Sequence, residues 1–349
     1  MEARVKKIKG GDWGIFTGLG DVLDLLENRK IDLWSIPEGS AFKAGEPVIM
    51  LETNYKDFAP LETPLLGFIC QASGISSKAA RIKGAAGDKP VYHFGARRMH
   101  PAIAPMIGRS AYIGGCDGVA VTKTAKMLGI EPIGTIPHAL ILILEDSTTA
   151  TGMFNKIFGD RVQSVALVDT FGDEKFEALE NADSIEGLKA VRLDTPSSRR
   201  GDMLEIASEV RWELNINGFK DVKIFISGGL NEEDIKKLNP VADAYGVGTS
   251  ISNAPVQDFA LDIVEIEGEP VAKRGKRSGS KQIYRCEDCG YRSVNYWKDE
   301  VPSCPQCGGG MEPLLVKVLD NGQKEEGPSA KEIRDFSMEN RKRIVTEGG

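Results

Sequence analysis

Long hydrophobic runs are missing from this chain of 349 residues. The longest, Ala139 to Leu144, falls far short of the ~20 residues a membrane-spanning helix requires. The N-terminus carries no charged-then-apolar signal pattern, so no membrane partner and a cytoplasmic location are expected. An excess of positive charge is missing too: 44 Lys and Arg stand against 51 Asp and Glu, a formal net charge of -7. That balance excludes a general nucleic-acid binder and confines any such role to a local patch. Histidine is scarce, with 3 in the whole chain, and no low-complexity tract occurs. A composition of 41% hydrophobic and 27% charged residues describes a soluble globular protein, long enough for two or three modules.

Cysteine is sparse but patterned. Four of the 6 form "CEDC" (Cys286, Cys289) and "CPQC" (Cys304, Cys307), each pair trailed by glycine. Two such knuckles at this separation are the spacing of a zinc ribbon. Four thiolates close a tetrahedron around Zn2+ with no open position, so the metal is expected to be structural. Two disulfides are the competing reading, disfavoured in a cytosolic chain. Cys70 and Cys116 sit among apolar or glycine neighbours and read as buried fillers.

From residue 90 onward, short apolar runs end in polar or glycine residues and helical stretches follow. The runs are 91–94, 118–121, 133–136, 165–169, 190–194, 223–227 and 244–248, seven strand candidates. In "DMLEIASEVRWELNINGF", Leu204, Ala207, Val210 and Leu214 recur at helical spacing before Gly218. "NEEDIKKL" opens on Asn231, a good cap. Alternating βα units imply a parallel sheet, either open and doubly wound or closed into a barrel. Polar residues cluster just after the strands, which favours the barrel, where such loops build one shared site. "SGG" (227–229) and "GVGTS" (246–250) suit phosphate, because glycine lets backbone N–H groups approach an anion.

The expected organisation is residues 1–85 as part of an α/β domain, 86–258 as the barrel, and 259–285 as a return to the first domain with a basic strip. A ribbon at 286–312 and a C-terminal strand and helix at 313–349 complete it. Ser329 and Glu332 form a capping box for that helix. The strip "AKRGKRSGSKQIYR" reads either as a solvated linker or as a source of cations for an anionic ligand.

The strand ends collect Arg97, Arg98, His100, His138, Asp169, Arg192, Asp194, Arg199 and Arg200. Arginine clamps carboxylate and phosphate through two parallel charge-assisted bonds. Aspartate orients hydroxyls, holds Mg2+ or fixes a histidine tautomer. The inventory points to a substrate with several anionic groups, and by itself to nothing narrower. His138, in "GTIPHALILI", reads by default as a satisfied core histidine and by its position after a candidate strand as a site residue. His93 reads as structural, and His100 stands open between the two.

"FGARRMHPAIAPMIGRSAYIGGCDG", "GTIPHALIL", "ALVDT", "VRLDTPSSRRGD", "FISGGL" and "AYGVGTSIS", in this order, resemble nicotinate phosphoribosyltransferase in its short archaeal form with an appended zinc ribbon. The resemblance covers nearly the whole chain. It implies a type II phosphoribosyltransferase fold: an irregular α/β barrel of about seven parallel strands, and an open-faced α/β domain built from N- and C-terminal segments. The implied reaction joins nicotinate to phosphoribosyl pyrophosphate, giving nicotinate mononucleotide and pyrophosphate, with Mg2+ and coupled ATP hydrolysis.

The same resemblance implies individual roles. Phe94 stacks on the pyridine, for which a core aromatic is the alternative. Arg97, Arg98 and Arg192 grip carboxylate or pyrophosphate, and Asp169, Thr170 and Asp194 hold the ribose or steer His138. Gly228, Gly229, Gly248 and Thr249 cradle the 5'-phosphate, and ATP phosphorylates His138. Apart from the resemblance, the ribbon is expected to pin the C-terminal segment so that Lys276 and Lys281 of the basic strip reach an active-site phosphate. A homodimer or a multiple of dimers with shared sites is implied, as is an N-terminal strand before the point where this sequence begins. Asp117 and Ala120 are alternatives for the position that contacts the amide in nicotinamide-using relatives. Nicotinamide or quinolinate as the base, and a nucleic-acid-binding protein on a dead barrel, are the competing functions.

Overall fold

The computed structural model describes residues 1–159, 162–198 and 201–346. Arg199 and Arg200 lie outside the described residues. Two compact units form. The first comprises 1–80, 109–115 and 254–349, and the second 81–108 and 116–253.

The second unit holds a parallel sheet of β1 (Val91–His93), β2 (Gly118–Val119), β3 (Val165–Leu167), β4 (Ala190–Leu193), β5 (Lys223–Ser227) and β6 (Ala244–Val247). Its order is β2-β1-β6-β5-β4-β3, and every neighbouring pair is parallel. The strands are short and largely buried, as expected where helices cover a parallel sheet. The expected irregular α/β barrel takes the form of a curled half-barrel sheet of six strands. The seventh candidate, 133–136, forms no strand and keeps one ladder-like bond, from Ile133 N–H to the Val119 carbonyl at 3.0 Å. β2 is two residues long and offers almost no ladder to extend. Pro132 and Pro137 bracket the segment and cannot donate to one.

The helices that matter for the site are α1 (His138–Leu144), α2 (Ser147–Phe158), α3 (Glu174–Ser184), α4 (Met203–Ile216), α5 (Glu232–Leu238) and α6 (Thr249–Ser252). α4 buries Met203, Ala207, Val210 and Leu214, and Asp202 caps it by accepting from Leu204 N–H. Asn231 caps α5 in a reciprocal box with Asp234. In α1 the hydrocarbon does not all turn inward: Ile141 is buried, whereas Leu142 and Ile143 are 54% and 76% exposed.

In the first unit, chain ends interleave. Its antiparallel sheet runs Phe259–Asp262, Glu2–Val5, Pro47–Thr53, Ile31–Ser35, Val316–Asp320, Gln323–Lys324. This is the open-faced domain built from N- and C-terminal segments that the resemblance implies. The helix Ala330–Thr346 starts at the expected box, with Ser329 N–H donating to Glu332 at 2.8 Å. A three-stranded sheet, Arg292–Tyr296, Lys281–Cys286 and Met311–Pro313, carries the cysteine knuckles.

Candidate active site and cysteine centre

Side chains from four strand ends of the second unit meet. Arg192, on β4, lies in register between Leu167 of β3 and Phe225 of β5. Its guanidinium is held at three points: Nε donates to Ser227 Oγ at 2.9 Å, Nη1 to Thr135 Oγ1 at 2.5 Å, and Nη2 pairs with Asp194 Oδ2 at 3.0 Å. Ser227 Oγ in turn donates to Asp194 Oδ1 at 2.7 Å. Three of the five guanidinium donors are taken, which leaves one N–H on each terminal nitrogen. A fork fixed this way is ready for a planar anion without further ordering cost.

Phe94 follows β1, its N–H bonded to the Val247 carbonyl at 2.8 Å. Its ring packs on Phe225, centroids 5.7 Å apart, and lies 5.3 Å from the Arg192 guanidinium carbon. Gly246 makes room for it: a Cβ there would stand 2.8 Å from the ring. The sequence therefore places a half-buried aromatic beside a cation, a surface suited to a flat ring bearing a negative group.

His138 is the first residue of α1, with Pro137 in extended conformation before it. Its Nε2 lies 3.1 Å from Asp169 Oδ1, just after β3. The Asp169 side chain is fully buried and its other oxygen, Oδ2, has no hydrogen-bond partner among the described residues. Burial raises the Asp169 carboxyl above the usual carboxylate range, opposed by His138 beside it. The buried Thr170 hydroxyl is likewise without a partner among the described residues. The loop bearing both is fixed by Glu177 of α3, which accepts from the N–H groups of Phe171 and Gly172 at 2.6 and 2.5 Å.

Gly228 and Gly229 have φ of +96° and +73°, conformations that favour glycine and turn the backbone after β5. Gly248 and Thr249 begin the single turn of α6. The side chains of Arg97 and Arg98 are exposed on the 3-10 turn Gly95–Arg98 and form no hydrogen bond or ion pair among the described residues. His100 is exposed and accepts at Nδ1 from Ala102 N–H at 3.1 Å. Asp117 accepts from Lys83 at 3.0 Å and from Val91 N–H at 2.9 Å, a structural duty.

Lys276 and Lys281 have partners within the first unit. Lys281 is buried in the first unit, where its ammonium lies 3.2 Å from Glu2 Oε1 and donates to the carbonyls of Arg277 and Gly279 at 3.2 and 2.7 Å. Lys276 donates to Asp262 at 2.6 Å. The buried Lys281 ammonium needs its partners, and both lysines' bonds help to hold the basic strip in place. Sequence reading also passed over Thr135, Ser227 and Glu177. Thr135 stood in the "GTIPH" stretch and Ser227 in "SGG", but nothing in their spacing marked Arg192 as their partner.

Cys286, Cys289, Cys304 and Cys307 bring their sulfurs within 4.8 Å of one another, with two pairs at 3.5 Å. Bonds of about 2.3 Å from a central zinc give tetrahedral edges of about 3.8 Å, so the four sulfurs fit a metal ion. Among the described residues this is the only such group of His, Cys, Asp and Glu ligands.

The comparisons with known proteins agree with this geometry. The C-terminal domain model of quinolinate phosphoribosyl transferase matches residues 75–262 and the N-terminal domain model matches 1–73. A nicotinate phosphoribosyltransferase of Mycobacterium tuberculosis is 29% identical over 88% of this chain and 68% of its own length. That of Bacillus subtilis is 31% identical over 72% of this chain and 54% of its own length. The solved nicotinate-nucleotide pyrophosphorylase of Pyrococcus furiosus superposes with a TM-score of 0.96 at 49% identity, covering 99% of this chain and 89% of that one. The human nicotinic acid phosphoribosyltransferase shares the fold, with a TM-score of 0.80 at 20% identity over 98% of this chain and 89% of that one. This chain belongs to the quinolinate phosphoribosyl transferase family, the type II phosphoribosyltransferases, and its relatives include nicotinate phosphoribosyltransferases.

Proposed function

We propose that this protein is a cytoplasmic nicotinate phosphoribosyltransferase serving NAD biosynthesis. It joins nicotinate to phosphoribosyl pyrophosphate, releases pyrophosphate, and couples the transfer to ATP hydrolysis through His138. The observation that carries this reading is the meeting of the Arg192, Ser227, Thr135 and Asp194 network with the Phe94 ring in one unit.

In this reading the pyridine lies against Phe94 and the nicotinate carboxylate takes the two open donors of Arg192. Arg97 and Arg98 supply exposed cations for the pyrophosphate. The pyridine nitrogen attacks C1 of the ribose, and the electron pair of the breaking C–O bond leaves with pyrophosphate. No proton has to move, so positioning and electrostatic stabilisation account for the rate. Gly228, Gly229, Gly248 and Thr249 receive the 5'-phosphate, and Thr170 and Asp194 lie within the ribose side of the site. Both Asp194 oxygens are already engaged, by Arg192 and Ser227, so Mg2+ would be carried chiefly by the substrate's phosphates.

For ATP coupling, Asp169 accepts the hydrogen bond from Nε2–H of His138 and so leaves Nδ1 unprotonated as the nucleophile. Nδ1 attacks the γ-phosphorus, ADP departs with the bond's electron pair, and water later cleaves the N–P bond to release phosphate. The added charge beside the site shifts its affinity for substrate and product. The four cysteines hold a structural zinc. Shared sites in a homodimer, or a multiple of one, belong to the same proposal. The exposed Leu142, Ile143, Met153, Ile157 and Phe158 of α1 and α2 support a subunit contact on the second unit.

Purified protein given phosphoribosyl pyrophosphate and Mg2+ should turn over nicotinate far better than nicotinamide or quinolinate, with ADP formed alongside. The quinolinate phosphoribosyl transferase family to which the chain belongs makes quinolinate the competing base, whose second carboxylate the exposed Arg97 or Arg98 would suit. Preference for quinolinate, with carbon dioxide released, would replace the proposal by that reading.

A further inference from the structure

His93 is 1% exposed, yet neither of the roles above uses it. It occupies the last position of β1, in register with Val247 of β6 and Val119 of β2. Strand alternation turns Tyr92 and Phe94 to one side, where both meet Phe225, and His93 to the other. There its Nε2 lies 2.8 Å from Ser252 Oγ, at the last residue of α6. Nδ1 is buried with no hydrogen-bond partner among the described residues. Among the described residues Ser252 is thus the one polar contact of the imidazole.

The contact falls where two separate pieces of the site come together. β1 delivers Phe94 and the Arg97 turn, and the end of β6 delivers Gly248, Thr249 and α6. Gly95 packs so tightly on α6 that a Cβ would stand 1.7 Å from Ser252 Oγ and 2.7 Å from the Gly248 carbonyl. Phe94 N–H bonds the Val247 carbonyl at 2.8 Å, and Ser252 N–H returns to the Gly248 carbonyl at 3.2 Å. α6 is one turn long, and its first residues have no side-chain cap. Such a turn has little intrinsic stability, and an anchoring side chain decides where it sits.

We infer that His93 is a positioning residue: through Ser252 it pins the turn carrying Gly248 and Thr249 against the strand end carrying Phe94. This rests on the reading of that turn as the phosphate cradle. It adds a side-chain bond, between β1 and the turn that follows β6, to the backbone pairing that already joins cradle and ring platform. A neutral imidazole suits the task, because burial holds His93 down to about 4 and keeps the pair uncharged at neutral pH.

The test uses the full chain with His93→Leu, His93→Gln and Ser252→Ala, and follows binding of phosphoribosyl pyrophosphate and nicotinate by calorimetry alongside the steady-state constants. His93→Leu and Ser252→Ala should each weaken the phosphoribosyl substrate about tenfold or more in Kd and KM while nicotinate alone changes less than threefold. The double variant should be no worse than the poorer single one, as expected for partners in one interaction. His93→Gln, whose amide can bond Ser252, should return to within threefold of wild type. Equal changes for both ligands, or a loss of melting temperature with both affinities intact, would overturn the inference. Wild-type protein that binds neither ligand would instead overturn the proposed function, and so the two failures are distinguishable.

Discussion

Nε2 of His138, at the start of α1, and Oδ1 of Asp169, just after β3, stand 3.1 Å apart although 31 positions separate them in the chain. The carboxylate is fully buried and the imidazole 39% exposed, so one partner orients and the other faces outward. Asp169→Asn keeps the shape but removes the charge, and its amide can present N–H as well as oxygen to Nε2, so the tautomer is no longer fixed. ATP-dependent stimulation should fall at least a hundredfold while transfer without ATP survives within about tenfold. Following ADP and nucleotide product in the same reaction separates the two, and stimulation equal to wild type would remove Asp169 from this role.

Arg192→Lys retains a charge but loses the planar fork and its three fixed bonds. kcat/KM for nicotinate should drop about a hundredfold or more, mostly through KM. A drop below threefold would mean that the carboxylate is held elsewhere.

Gly246→Ala places a methyl carbon 2.8 Å from the Phe94 ring and 3.1 Å from Ser227 Cβ. The ring has to tilt away, and the expected result is a severalfold higher KM for nicotinate with little change in kcat. A crystal structure of the variant should show the ring displaced; an unmoved ring with wild-type kinetics would speak against Phe94 as the platform.

Acid should destabilise the protein partly through His93. Its folded-state pKa of about 4 lies below the ordinary 6.5, so the unfolded chain takes up this proton first. The stabilisation is complete above about pH 6.5 and is lost as pH falls toward 4, a change of about 3 kcal/mol at 1.36 kcal/mol per unit. Denaturant titrations should show a steeper decline over that window for wild type than for His93→Gln. Parallel curves would assign the acid sensitivity to other groups.

Removing metal from the four-cysteine centre should lower the melting temperature and release one zinc per chain, since a structural site contributes its binding energy to folding. Chelation that abolished turnover and left the melting curve unchanged would contradict a structural role.

Much of this architecture was legible in the sequence, because its signals are local. Hydrophobic runs ending in glycine or polar residues marked six strands that form. The Cys-x-x-Cys pairs, the Asn231 cap and the Ser329 box depend on spacings of a few residues, which backbone geometry fixes directly. The run 133–136 has the composition of a strand, but strand formation needs a neighbour, and two residues of β2 supply almost none. The hydrocarbon after His138 forms a helix whose exposed face no local pattern marked, since exposure depends on what packs alongside.

Sequence alone determined which chemical groups the chain owns and the strand ends at which they sit. Tertiary structure decided which of them meet: that Thr135, Ser227 and Asp194 fix Arg192, that Asp169 faces His138, and that Lys276 and Lys281 are bound to carboxylates of the first unit. These contacts join residues far apart in the chain, and parallel pairing with its register brings them together. No local pattern encodes that register, because it is set by the packing of every strand against the next.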